Sequence, residues 1–224
     1  MFRHLLGVGL ALTTVVSAGA IAQTPNRAAP MEFQGRYLVS ISDADMLASA
    51  YVNGLLGPRE GRDALSVIPL NGHARNLQAY EVEASNSVAG PPVAVAVTPD
   101  GRYAIVVETF TPRPEGAWEN QTFGDLQQGD RLQVFDLAEP TRPTLVQDMA
   151  IAERPDAVSI NADGSLVAVT FNPNGAGTET PLAIIPLSNG RLGEPSYPEV
   201  PELPAGDRLI HAEWHPTRDV LALV

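Results

Sequence analysis

The chain has 224 residues, with 20 Pro, 19 Gly, no Cys, and 14 basic against 26 acidic residues. All 14 basic residues are Arg; without Cys or Lys, a disulfide framework, thiolate or Schiff-base catalysis and a P-loop are excluded. A formal net charge of -12 argues against nucleic acid and anionic lipid as partners, because both need a basic footprint.

The chain opens with Arg3, an apolar run from Leu5 to Val16, and small residues ending in Ala20-Ile21-Ala22-Gln23. This is the layout of a secretory signal peptide over residues 1–22. No later segment approaches ~18 uninterrupted apolar residues, so no membrane span is expected after cleavage. The expected location is periplasmic or secreted. Residues 23–34 are polar and Pro-containing and read as a flexible lead-in.

Residues 35–224 repeat. Pro92–Glu108, Pro155–Thr170 and Leu209–Val224 each hold an alternating segment, a four-residue turn and an apolar strand. Pro99-Asp100-Gly101 and Ala162-Asp163-Gly164 are turn chemistry, since Asp bonds its own backbone and Gly accepts positive φ. The flanking Val, Ile and Tyr favour strands, so these are β-hairpins. A partial copy, Gly35–Ser42, matches Gly101–Glu108. A third strand recurs at Ala64–Leu70, Arg131–Leu137 and Pro181–Leu187, and a weaker fourth at Leu77–Glu83, Thr144–Ile151 and Arg191–Pro198.

The unit is therefore four antiparallel strands, here named a to d. The turn positions Gly35, Gly101, Gly164 and Arg218 stand 66, 63 and 54 residues apart. That period predicts an all-β fold: a β-propeller of four-stranded antiparallel blades, about three and a half of them present. A β-sandwich is the competing all-β architecture, but it does not explain a hairpin that recurs with its own third strand. The unit broken at Val224 leads to the expectation of a portion of a larger ring, or of a ring completed by a second copy. Almost no helix is expected.

The segments PPVAVAVTPDGRYAIVVE, RPDAVSINADGSLVAVTF and PLAIIPLSNGRLGEP resemble the lactonase-type seven-bladed propellers. That family is similar to bacterial 6-phosphogluconolactonase and to YVTN-repeat proteins. The resemblance covers most of residues 35–224 and is specific for architecture. It implies a lactonase-like hydrolase acting on a small lactone or cyclic sugar ester. The alternative is a non-catalytic propeller that binds a ligand or a protein. One architecture hosts many activities.

In a four-stranded blade the b–c and d–a connections share one rim. Two b–c connections are long, Asp43–Asp63 and Thr109–Asp130, so this rim is the expected surface for a small molecule or protein partner. Its candidate ligand-binding residues are Tyr51, Arg59, Arg113 and Trp118. Asp43 and Asp45 read as solvated loop carboxylates, lacking the pattern of a calcium loop.

His211, Glu213 and His215 alternate along a strand and so share one face. The matching positions elsewhere are small: Ala94, Ala96 and Thr98, and Ala157, Ser159 and Asn161. The three are the candidate catalytic residues, with Glu213 tuning an imidazole for acid–base work. The same donors could instead hold a divalent metal, or be rim histidines with His215 in a turn. No cofactor is expected beyond that option.

Overall fold

In the computed structural model, the described residues are 33–70, 76–85, 93–116, 120–172, 181–201, 203–204 and 209–224. The expected signal peptide and Trp118 lie outside them. The strands are β1 (Tyr37–Ser42), β2 (Ala64–Pro69), β3 (Tyr80–Glu83), β4 (Val95–Val97), β5 (Tyr103–Phe110), β6 (Gln128–Asp136) and β7 (Thr144–Ala150). They continue with β8 (Pro155–Ile160), β9 (Leu166–Phe171), β10 (Leu182–Ser188), β11 (Arg191–Leu192), β12 (Ala212–Trp214) and β13 (Leu221–Leu223). A four-residue helix, α1 (Ala50–Asn53), and a 3₁₀ turn at Phe123–Asp125 sit in the long connections. Among the described residues no helix is long and apolar enough to cross a membrane.

The strands form four sheets with neighbours in chain order: β1-β2-β3, β4-β5-β6-β7, β8-β9-β10-β11 and β12-β13. Every pairing is antiparallel. Blade two and blade three are therefore complete a-b-c-d units. The first sheet holds strands b, c and d, and the last holds a and b.

The hairpin turns repeat atom for atom. Thr98 N–H donates to Tyr103 O at 2.8 Å, Asn161 N–H to Leu166 O at 3.0 Å, and His215 N–H to Val220 O at 2.7 Å. Gly101 and Gly164 take the left-handed φ that the turn requires.

Strand β5 shows why these segments read as continuous apolar runs. Ala104 and Val106 face blade one, packing with Leu65 and Val67. Ile105 and Val107 face blade three, packing with Val167, Val169 and Phe171. A sheet covered on both faces needs apolar residues at successive positions. Each such side chain, fully buried, contributes about 1.5–3 kcal/mol. A further apolar cluster, Ala168, Leu182, Ala212 and Trp214, joins blade three to the last hairpin.

Sheets stacked face to face, joined in sequence and packed along their first strands, are the radial arrangement of a β-propeller. Innermost strand β8 packs against β4 on one side and β12 on the other. Val158 N–H donates to Val93 O across blades at 3.0 Å, and Ser159 Oγ donates to Ala212 O at 2.6 Å. At the outer edge, Gln147 bonds both the N–H and the C=O of Leu192.

Candidate ligand-binding rim

The two long b–c connections meet on one rim and brace each other. Arg113 is buried, and its guanidinium donates to Asp45 O at 2.5 Å and to Gln121 Oε1 at 3.0 and 3.1 Å. Its main-chain N–H donates to the Asp45 carboxylate. Arg59 donates to Arg113 O, and Leu56 N–H to Gln121 O at 2.7 Å. Met46, Ala50 and Leu56 form a small core with Phe123 and Leu126. Such a core lets an otherwise polar loop pair hold one shape.

Arg59 and Arg113, read as ligand contacts, thus bind loop main chain. Tyr51 is exposed and lies 5.6 Å from the Phe123 ring, tilted by 49°. Burial and the nearby Asp43 raise the Tyr51 phenol above its ordinary pKa.

Asp45 is not solvated, and Asp43 is half-buried. Asp45 and Asp63 are each 5% exposed, and carboxylate oxygens of Asp43, Asp45 and Asp63 lie within 4.8 Å of one another. Ala44 N–H donates to Asp63 at 3.1 Å. The reason is long-range: burial comes from the partner loop and Arg113, neither visible from an Asp-Ala-Asp triplet. These three carboxylates have the spacing to hold a divalent cation and also clasp the ends of the first loop.

Beside Phe123 the rim contains a cavity of about 330 Å³, lined by Phe110, Phe123, Gly124, Leu126, Gln128 and Arg154. Pockets of a few hundred Å³ are the size that small ligands occupy. The sequence reading missed Gln128 and Arg154. The available signal was weak: an Arg ahead of Pro155, where blade two has Pro91 ahead of Pro92. The second long connection is also shorter than expected, 111–127, because β5 and β6 extend further toward this rim.

At the last hairpin, His211 Nε2 and the Glu213 carboxylate lie 2.8 Å apart, as their shared face requires. Glu213 is exposed, and His211 Nδ1 is sealed from solvent with no partner among the described residues. His215 is not brought to them. It sits in the turn, with Thr217 N–H and Arg218 Nε each 3.2 Å from a ring nitrogen. A neutral imidazole has one acceptor nitrogen, so it accepts one of these two at a time. Thr98 and Asn161 brace their turns from the same position, accepting from Tyr103 N–H and Leu166 N–H.

No family model matches the sequence, and no curated protein matches it. Among solved structures, the chain is similar to the β-propeller domain of Myceliophteria thermophila Cps50 (Swd1), at 18% identity and a TM-score of 0.44. That alignment covers 75% of this chain and 45% of the other. It is also similar to a candidate 6-phosphogluconolactonase from Bacteroides uniformis, at 14% identity and a TM-score of 0.34, covering 76% of this chain and 61% of that one. The chain thus spans about half the length of these neighbours. The propeller fold stands on the chain's own sheets.

Proposed function

We propose that this chain belongs to an exported β-propeller that binds a small-molecule ligand on the rim built by residues 43–63 and 111–127. The observation that supports this reading is the brace centred on buried Arg113, which holds two long loops in one arrangement beside a cavity. A binding surface held in shape before the ligand arrives avoids the ordering cost of a mobile loop. Export rests on the signal-like residues 1–22.

The test is a ligand-observed NMR screen of a fragment library, comparing the natural chain with Phe123→Ala. Hits that weaken in Phe123→Ala support the rim. A folded protein with no hits, or with hits indifferent to Phe123, overturns it.

A second reading, lactone or ester hydrolysis, is favoured by the 2.8 Å contact of His211 with Glu213. There the carboxylate would support an imidazole that activates water. It requires turnover on a lactone panel that disappears in His211→Ala while the melting temperature holds. A melting-temperature loss without any turnover assigns the pair to structure.

A further inference from the structure

We infer that the cavity beside Phe123 is a carboxylate site, taking a small monocarboxylate with a hydroxyl or N–H donor beside the carboxylate and an apolar body. This rests on the rim reading above and names its ligand class.

The argument starts with Arg154. The chain carries 26 acidic residues against 14 Arg, and Arg142 and Arg191, which like Arg154 pair with no described residue, are exposed to solvent where Arg154 lines a cavity. Arg36, Arg59, Arg62, Arg102, Arg113 and Arg131 each hold a carboxylate or carbonyl. Arg154 forms no ion pair with any described residue, and its guanidinium makes no hydrogen bond to one. Its Nε is sealed from solvent with no partner among the described residues, which leaves its terminal N–H groups as the reachable edge. Its one side-chain interaction is stacking, with Cζ 5.1 Å from the Phe110 ring centroid. Stacking uses the face of a guanidinium and leaves its N–H edge for a planar anion.

The backbone at this residue is costly as well. Arg154 has φ of 59°, a region that side-chain-bearing residues rarely adopt. It is held there by Arg154 N–H to Gly129 O at 2.7 Å and Asn172 N–H to Arg154 O at 3.2 Å. Strain of this kind gathers at ligand clamps, and here it seats an unpaired cation in a cavity wall.

Gln128 supplies the complementary need. Gln128 lines the same cavity, and its Oε1 is sealed from solvent with no donor among the described residues, so a ligand reaches it as the amide turns toward the cavity. An unmet donor and an unmet acceptor in one cavity fit a ligand with an anionic acceptor next to a hydroxyl or N–H. Phe110, Phe123 and Leu126 suit an apolar or aromatic body. A single Arg within a chain of net charge -12 matches one negative charge better than two, favouring carboxylate over phosphate dianion.

The test is calorimetric titration of the full chain with mandelate, which carries carboxylate, hydroxyl and phenyl together. Three analogues separate the parts: 1-phenyl-1,2-ethanediol removes the charge, phenylacetate removes the hydroxyl, and phenyl phosphate, compared with phenylacetate, replaces the anion. Mandelate is expected to bind at least tenfold more tightly than the diol. Arg154→Gly, which also relaxes the backbone, is expected to abolish that difference. If Arg154→Gly does not fold, Gln128→Leu serves: it is expected to weaken mandelate several-fold and leave phenylacetate unchanged. Mandelate binding indifferent to both variants overturns the site. Tighter binding of phenyl phosphate overturns the carboxylate class. If carboxylates fail while neutral fragments still depend on Phe123, the ligand class falls and the rim reading survives. If nothing depends on Phe123, both fall.

Discussion

The two rims of this propeller handle their polar groups in opposite ways. On the tight-turn rim, the turn carboxylates are met within a few residues. Asp100 accepts from Thr98 Oγ1 and Arg102 N–H, and Asp163 from Ser165 Oγ and N–H. Those hydrogen bonds hold both carboxyls below the usual carboxylate range. On the long-loop rim, Arg113 reaches Asp45 across 68 residues, and Thr109 reaches Pro155 O across 46. Glu108 is buried there, and desolvation pushes its carboxyl above its ordinary value despite the Ser85 hydroxyl bonded to it. Arg154 Nε and Gln128 Oε1 find no partner among the described residues. The turns of one rim are finished by their own sequence, while the loops of the other are held by distant chain.

The strongest way to break this contrast is Arg113→Ala. Removing one partner from a buried charged network is expected to cost about 3–5 kcal/mol. Urea unfolding should show that loss, with faster amide exchange in residues 43–63. A loss below 1 kcal/mol would mean that the loops are held by Leu56 and Phe123 packing instead.

Gly190→Ala probes the other rim. Asn189-Gly190 joins β10 to β11, with φ of 51° and 72°, the pattern of a two-residue hairpin turn. A Cβ on Gly190 would overlap the Tyr103 ring. The expected cost is about 1–3 kcal/mol, read from the thermal midpoint. An unchanged midpoint would show that Tyr103 moves aside freely.

The smallest effect concerns Glu108. Its folded pKa lies above the unfolded one. Below the unfolded value, ordinarily about 4.3, both states are protonated and nothing is lost. As pH rises past it, the unfolded chain releases its proton first, so stability falls until the folded value is passed. Glu108→Gln removes this penalty and keeps a partner for Ser85. The variant should melt higher than the natural chain at pH 7, with the gap closing near pH 4. A gap of equal size at both pH values would assign the effect to packing.

The blades were legible because their information is local. Pro99-Asp100-Gly101, Ala162-Asp163-Gly164 and the apolar runs beside them state a turn and two strands within about 15 residues of chain. The third strands at Ala64, Arg131 and Leu182 followed from the same repetition, and the structure places β2, β6 and β10 there. The shared face of His211 and Glu213 was legible too, because alternation is a property of any strand. What the long-loop rim does was not. Arg113 in a polar loop reads as exposed, and it is buried only because Asp45 and Gln121 arrive from either side. Asp63 joins Asp43 and Asp45 through a loop closure that residue spacing does not announce. The backbone of Arg154 is set by Gly129 and Asn172, contacts made only once blades two and three are together.

The ties between those two blades carry a mechanical consequence. A main-chain bond, Val158 to Val93, fastens them near the axis, and Gln147 fastens them at the perimeter through Leu192. Fastened at both ends and filled between by Ile105, Val134, Val169 and Phe171, they form one cooperative block instead of two hinged leaves. The wall that carries Phe110, Gln128 and Arg154 is cut from that block. The facing wall at Phe123 is held by the loop core of Met46, Ala50 and Leu56, so a visiting molecule meets two walls fixed by separate means.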